Sequence, residues 1–483
     1  MPDVWLDVTT ILGWQRPAVG IVRVESECAA FALENKKIRS RFCCFDAIAC
    51  RYREVLPEEV CEALARIGTK RSANLVEDLS ANSSATFIPP LASREQRLTV
   101  FVLRLLALLP QRWRGCAFNF AATRKTAYQA ASRSYREARL AVREFLRPAD
   151  SGRFNQEVSS EQPVAAPVHA VPFSGDDVYV SLGIDWNQKD LKYLFAQKRC
   201  VGFRVLLFCY DIIPVKFPHL CVADVAAKFA EYFTDLAWCA DRICCISGCS
   251  RRDLTHLLDD LGAPIPQMEV VKLGCEIMSS DLDESAPDVS ELLGSKYVLF
   301  VSTIERRKNH ETIYRAYTRL IDSGVSELPL LVFIGMPGWG VRDLMADLRL
   351  DPRIQPYIRI LNQVTDSDLV RLYRNAYFTV YPSLYEGWGL PVAESLANGK
   401  FCLASNVASI PEVGGDLIEY LDPWDVPAWA ARLHWYIEHP DDLLQKEQRI
   451  KKEYVPATWQ NCATSILETA LRDSEITNLL IAI

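Results

Sequence analysis

No stretch of this 483-residue sequence reaches the roughly 18 uncharged apolar residues that a membrane-spanning helix needs. Its start, MPDVWLDVTTILGW, lacks the basic segment and apolar run of a secretory leader, so a cytoplasmic location is expected. No C-x2-C pair occurs either. The 16 cysteines are expected as reduced thiols acting as small core hydrophobes, in strand-like runs such as Phe42–Phe45 and Ile243–Ile246. Cys239, Cys244, Cys245 and Cys249 cluster without a zinc-knuckle spacing or a nearby histidine, so no structural metal is expected there. Charge of one sign is not in great excess. A net charge of −7 with 24% charged residues excludes a disordered acidic chain and gives no reason to expect a nucleic-acid partner.

What the chain has is apolar content, 49% of its residues, over a length too great for one core, so two domains are expected. Apolar strands alternate with helical runs from Val4–Val8 through FCCFDAI, the pattern of parallel α/β layers. A helical insertion over about 92–150 breaks that rhythm. Between Arg94 and Arg147 it carries 12 basic residues against 3 acidic ones, and a Ser/Pro/Ala linker over 150–172 follows. Strands resume at DDVYVSLG, FRVLLFCYDIIP, DRICCIS and EVVKLG, and the polar stretch Ser279–Ser295 reads as a hinge. A second series begins at Lys296 with KYVLFVST, PLLVFIG, YIRILNQ, AYFTVYPS and KFCLASN. Five such strands with intervening helices match a doubly wound sheet, whose ligands bind at the carboxyl ends of the strands.

Three loops at those ends carry chemistry. After VLFVST come Arg306, Arg307 and Lys308, just before a helix expected near His310, a setting suited to a diphosphate. After AYFTVYPS comes LYEGWGLPVAE, in which Glu386 precedes a glycine-rich bend and Pro391 suits the first helical position. Glu394 is expected in the first turn of that helix, held ionised by the dipole and able to accept two hydrogen bonds from a ribose diol. After KFCLASN comes VASIPEVGGD, where Pro411 and Glu412 suit a helix start.

The stretches VTTILGWQRPAVGIVRV, GDDVYVSLGIDW, CYDIIPV, ICCISGCSRRDL, VSTIERRKNH, LNQVTDSDLVRLYRNA, PSLYEGWGLPVAESLANG and SNVASIPEVGGD, in that order, resemble the family 4 retaining glycosyltransferases. The resemblance covers most of the chain except roughly 50–172 and is greatest to the bacterial mannosyltransferase-like branch that builds surface polysaccharides. It implies a GT-B fold, two Rossmann-like domains facing each other across a cleft. An acceptor domain would span 1–278 and a nucleotide-sugar domain 296–456, with a final helix, 457–483, crossing back to the first.

Carried over residue by residue, the resemblance implies that Glu394 binds the ribose and Glu386 the transferred sugar. Arg307 and Lys308 would stabilise the departing diphosphate. Gly387, Trp388, Gly389 and Leu390 would line the donor site, Gly20 would lie near the phosphates, and Asp211 would enter the cleft from the first domain. Two positions depart from the pattern: Thr303 stands where many members have an arginine, and Tyr210 where many have a histidine.

The donor implied is a nucleotide sugar, GDP-mannose before others, with a lipid-linked or oligosaccharide acceptor. No metal or cofactor is required if Arg307 and Lys308 neutralise the diphosphate, and no D-x-D stands at a strand end. The segment 94–114 places Leu98, Phe101, Val102, Leu105, Leu106, Leu109 and Trp113 at helical spacings between arginines, which suits an anionic membrane surface. A non-catalytic nucleotide-sugar-binding subunit of a polysaccharide assembly complex is the alternative from another class. An epimerase acting on a free nucleotide sugar is a third.

Overall fold

The computed structural model describes residues 2–16, 18, 20–47, 49–68, 171–221, 225–277, 286–362 and 364–472. The expected insertion, the basic apolar segment 94–114, the linker up to 170 and the terminal LLIAI lie outside the described residues.

Strands β1 (Val4–Asp7), β2 (Ser40–Asp46), β3 (Arg51–Val55), β4 (Val178–Ser181), β5 (Arg204–Cys209), β6 (Arg242–Cys245) and β7 (Gln267–Val270) form the first sheet. Its order is β3-β2-β1-β4-β5-β6-β7. All pairs are parallel except β2 with β3, a hairpin at the edge. β3 was not expected: its sequence RYREV is mostly charged, and only Tyr52 and Val55 turn inward against Phe45 and Phe42.

The second sheet contains β8 (Tyr297–Val301), β9 (Leu330–Ile334), β10 (Ile358–Leu361), β11 (Phe378–Tyr381), β12 (Cys402–Ser405) and β13 (Glu419–Leu421). Its order is β10-β9-β8-β11-β12-β13, all parallel, the doubly wound arrangement. Strands covered on both faces by helices must be apolar throughout. β8, β9, β11 and β12 meet that demand with Val298, Leu299, Phe300, Val332, Phe333, Phe378, Val380 and Leu403, all buried. The short sixth strand, β13, lacks such a run.

The stretch expected as a hinge holds the helix Pro287–Leu293. Proline stands at its first position, and Val289 and Leu292, three residues apart, are buried against the helix Asp366–Asn375. The helix Trp459–Leu471 lies against Ile21–Glu34 and reaches β1 and β4. Trp459 is buried there, its Nε1 donating to the Glu276 carbonyl at 3.1 Å. The 15 cysteines among the described residues are free thiols, most of them buried in these layers. No helix among the described residues is long and apolar enough to cross a membrane.

Candidate active site

In the second sheet the strand order reverses between β8 and β11, and it is at the carboxyl ends of the strands flanking such a reversal that doubly wound sheets bind their ligands. The loops after these two strands are those of Arg307–Lys308 and of Glu386. Arg306–Lys308 form one 3-10 turn, Asn309 takes a left-handed conformation at φ 60°, and the helix His310–Asp322 follows. The turn aims Arg307 and Lys308 inward. Arg306 is exposed, its chain over Gly340, so the structure separates it from the other two cations.

Glu386 is buried and forms ion pairs with both. Arg307 Nη1 lies 2.7 Å from its Oε2, and Lys308 Nζ lies 2.6 Å from its Oε1. The Tyr381 hydroxyl donates to Oε1 at 3.0 Å, and Lys308 Nζ donates to that hydroxyl at 2.9 Å. Glu305 accepts from Arg307 Nη2 at 2.8 Å. Burial favours the neutral acid, but the charges of Arg307 and Lys308 outweigh it and hold the Glu386 carboxyl at about 2. Glu386 therefore stays ionised at every physiological pH. Burial and the neighbouring Arg307 lower the Lys308 ammonium, against the pull of Glu386. His310, behind the turn, is pushed down to about 3 by burial and by Lys308, so it is a neutral ring stacked 4.1 Å from Phe300.

The glycine-rich bend is fixed from both sides. Gly389 has φ 114°, in the left-handed region, and precedes the helix Leu390–Ala397. A Cβ at Gly387 would stand 2.6 Å from the Tyr210 carbonyl oxygen and 3.0 Å from the Asp211 Cβ, so only glycine permits this approach to the first domain. Trp388 is buried and Leu390 half-buried. Ser409 Oγ, from the third loop, donates to the carbonyls of Glu386 at 2.9 Å and Trp388 at 2.8 Å.

Glu394 departs from expectation. It is the fifth residue of Leu390–Ala397, and the first turn holds no acid. Leu390, not Pro391, opens the helix, and the dipole has faded by the second turn. The Tyr373 hydroxyl holds Glu394 instead, donating to Oε2 at 2.9 Å. Burial raises its carboxyl above the usual range, partly offset by the charge of Arg23 from the first domain. Asp211 is half-buried beside Gly387 and accepts from Ile213 N at 3.0 Å; burial raises its carboxyl, with Arg307 opposing. Gly20 is exposed at φ 53° just before the helix Ile21–Glu34. Thr303 is also exposed.

The reversal point of the first sheet, between β1 and β4, holds a cluster that sequence reading missed. The Lys189 side chain is fully buried, its Nζ 2.9 Å from Asp7 Oδ1, 2.8 Å from Asp185 Oδ1 and 2.5 Å from Ser181 Oγ. Tyr179 donates to Asp7 Oδ2 at 2.7 Å. Glu25 stands alongside, accepting from Ile11 N at 2.9 Å. Burial raises its carboxyl to about 8, Lys189 opposing and Asp7 adding. Between about 4.5 and about 8 the folded chain thus carries a proton here that the unfolded chain has lost. Stability owed to this group is greatest below that window and falls as pH rises through it. Melting temperatures between pH 5 and pH 9 are expected to decline less steeply in Glu25→Gln than in the wild type.

Residues 283–454, the part containing the reversal point of the second sheet, match the family described as glycosyl transferases group 1. Residues 283–454 are a group 1 glycosyl transferase domain. The chain is 32% identical over 238 residues to O-antigen chain mannosyltransferase B of Escherichia coli, which covers 47% of this chain and 60% of that protein. It is 24% identical over 337 residues to the serotype-specific mannosyltransferase WbdA of Escherichia coli, 66% of this chain and 39% of that one. The chain thus spans less than two thirds of either relative's length. Among solved structures, sucrose-phosphate synthase from Thermosynechococcus elongatus superposes with a TM-score of 0.51 at 16% identity, over 100% of both chains. A glycosyltransferase from Rickettsia africae gives 0.51 at 13% identity, over 98% of this chain and 99% of its own. Those likenesses concern the fold, which is GT-B. The group 1 domain places its glutamates on opposite sides of one bend, Glu386 against Arg307 and Lys308, Glu394 against Tyr373.

Proposed function

We propose that this protein is a retaining hexosyltransferase that moves mannose from GDP-mannose to a lipid-linked or oligosaccharide acceptor in surface polysaccharide assembly. The observation that carries this reading is the buried Arg307–Lys308–Glu386 knot at the reversal point of the second sheet. Two cations held beside an ionised carboxylate are ready to exchange that partner for a diphosphate. The Escherichia coli relatives named as mannosyltransferases support the choice of sugar. The basic apolar sequence 94–114 suits a site at the inner face of the cytoplasmic membrane, where a lipid-linked acceptor is met.

With donor bound, Arg307 and Lys308 turn to the diphosphate oxygens and offset the charge that builds there as the anomeric carbon–oxygen bond breaks. Glu386, released from them, accepts from hydroxyls of the sugar, and Glu394 with Tyr373 takes the ribose diol. The acceptor oxygen bonds to the anomeric carbon on the face the phosphate leaves, and its proton passes to the departing phosphate oxygen. Configuration is retained and no enzyme-bound sugar forms. Asp211 and Tyr210 border this region from the first domain. This chain's own cations supply the charge for departure, so the reaction as proposed requires no metal.

A thermal-shift panel of GDP, UDP, ADP and dTDP tests the donor. GDP is expected to raise the melting temperature most, since a ligand that binds only the folded state at 100 times its Kd stabilises by about 2.7 kcal/mol. A larger shift with another diphosphate would replace the donor class. No shift with any of them would overturn the transferase reading.

A further inference from the structure

Three contacts pass from the second domain to one helix of the first, Gly248–Asp260. Glu412 makes the first. Its Oε2 accepts from Gly248 N at 2.7 Å and its Oε1 from Cys249 N at 2.7 Å, with Arg252 Nη2 3.8 Å away. These amides open the helix and have no partner within it, and the helix dipole adds to the attraction. Tyr385 makes the second. Its hydroxyl donates to Asp253 Oδ2 at 2.5 Å and accepts from Lys216 Nζ at 2.7 Å, while its ring packs 4.6 Å from Phe217. Cys249 Sγ stands 3.5 Å from the same hydroxyl. The third lies between these two, where Ser250 Oγ donates to the Gly387 carbonyl at 3.2 Å.

Tyr385 is the residue before Glu386, and its carbonyl accepts from Arg307 Nη1 at 2.8 Å. One residue thus has its side chain socketed in the first domain, its carbonyl on a site cation and its next neighbour in the site. We propose that Tyr385 is a positioning residue that couples docking of the two domains to the placement of Glu386 and Arg307, and that Glu412 latches the same helix. Undocking moves the tyrosine out of its socket and carries the Glu386 backbone and the Arg307 anchor with it. The catalytic part of this inference rests on the transferase reading; the docking part does not.

The test is hydrogen exchange on the full chain, read in peptides spanning residues 247–252, for wild type, Tyr385→Phe and Glu412→Gln, together with steady-state transfer by Tyr385→Phe. The amides of Gly248 and Cys249 are expected to exchange about tenfold or more faster in both variants, while β11 peptides keep wild-type protection. In Tyr385→Phe, which keeps its ring, kcat is expected to fall about 10- to 100-fold with nucleoside diphosphate affinity unchanged. Equal exchange in all three proteins overturns the docking role, and an unchanged kcat overturns the coupling. If the wild type binds no nucleoside diphosphate, the transferase reading and the coupling fall together, and the exchange result still decides the docking.

Discussion

Glu386→Gln is expected to lower kcat by about 100- to 1,000-fold while leaving nucleoside diphosphate binding intact or several-fold tighter. The two halves of this result come from one geometry. In the free protein the Glu386 carboxylate occupies both Arg307, at 2.7 Å, and Lys308, at 2.6 Å. A diphosphate must displace it from them, so glutamine, which carries no charge, competes less. The same carboxylate is then the acceptor for sugar hydroxyls, and a neutral amide holds them less well where positive charge grows at the anomeric carbon. Titration calorimetry with GDP and initial-rate kinetics on the same preparation separate the effects. A merely structural Glu386 would lose binding and rate together, because two buried cations would be left to disorder the loop.

Lys189→Met is expected to destabilise the folded protein by about 3–5 kcal/mol, the cost of stranding one side of a buried ion cluster. Lys189 and Asp7 have no exposed side-chain surface, and Asp185 has 2%. Without the ammonium, Asp7 and Asp185 face each other and Glu25 with the hydroxyls of Tyr179 and Ser181 and the amides of Thr9 and Ile11 as neutral donors. Those carboxyls then hold protons to higher pH than in the unfolded chain, so the variant should lose stability as pH rises from about 4.5. Asp185→Asn in the same chain removes one stranded charge and is expected to restore part of the loss. Urea unfolding at pH 5 and pH 8 checks both points, and equal midpoints for wild type and Lys189→Met would refute the role given to the cluster.

The site's main parts were legible because they are local. An apolar run ends, glycines bend the chain, and Glu386, Arg307 and Lys308 stand at fixed offsets from strand ends. What was not legible depends on residues far apart. Tyr373 reaches Glu394 only because two helices lie side by side, and nothing near Glu394 signals that partner. The turn expected to ionise Glu394 by its dipole was misplaced by one residue, because Leu390 and not Pro391 opens the helix. Lys189 reads in sequence as one of many surface lysines; only the pairing of β1 with β4 brings it to Asp7. β3 was missed because an edge strand can be charged on its outer face, and Pro287–Leu293 because its two buried residues are too few to outweigh a polar surrounding. Glu412 suits a helix start in sequence, but its role across the domains appears only in three dimensions.

The central claim is that the Arg307–Lys308–Glu386 knot serves departure of a nucleoside diphosphate from a sugar. It is tested most directly by measuring diphosphate release from GDP-mannose and from UDP-, ADP- and dTDP-hexoses with water as the acceptor. Slow release from GDP-mannose by the wild type, and none above background by Glu386→Gln, is the result predicted. Equal release by both proteins, or none from any of these donors, would contradict it.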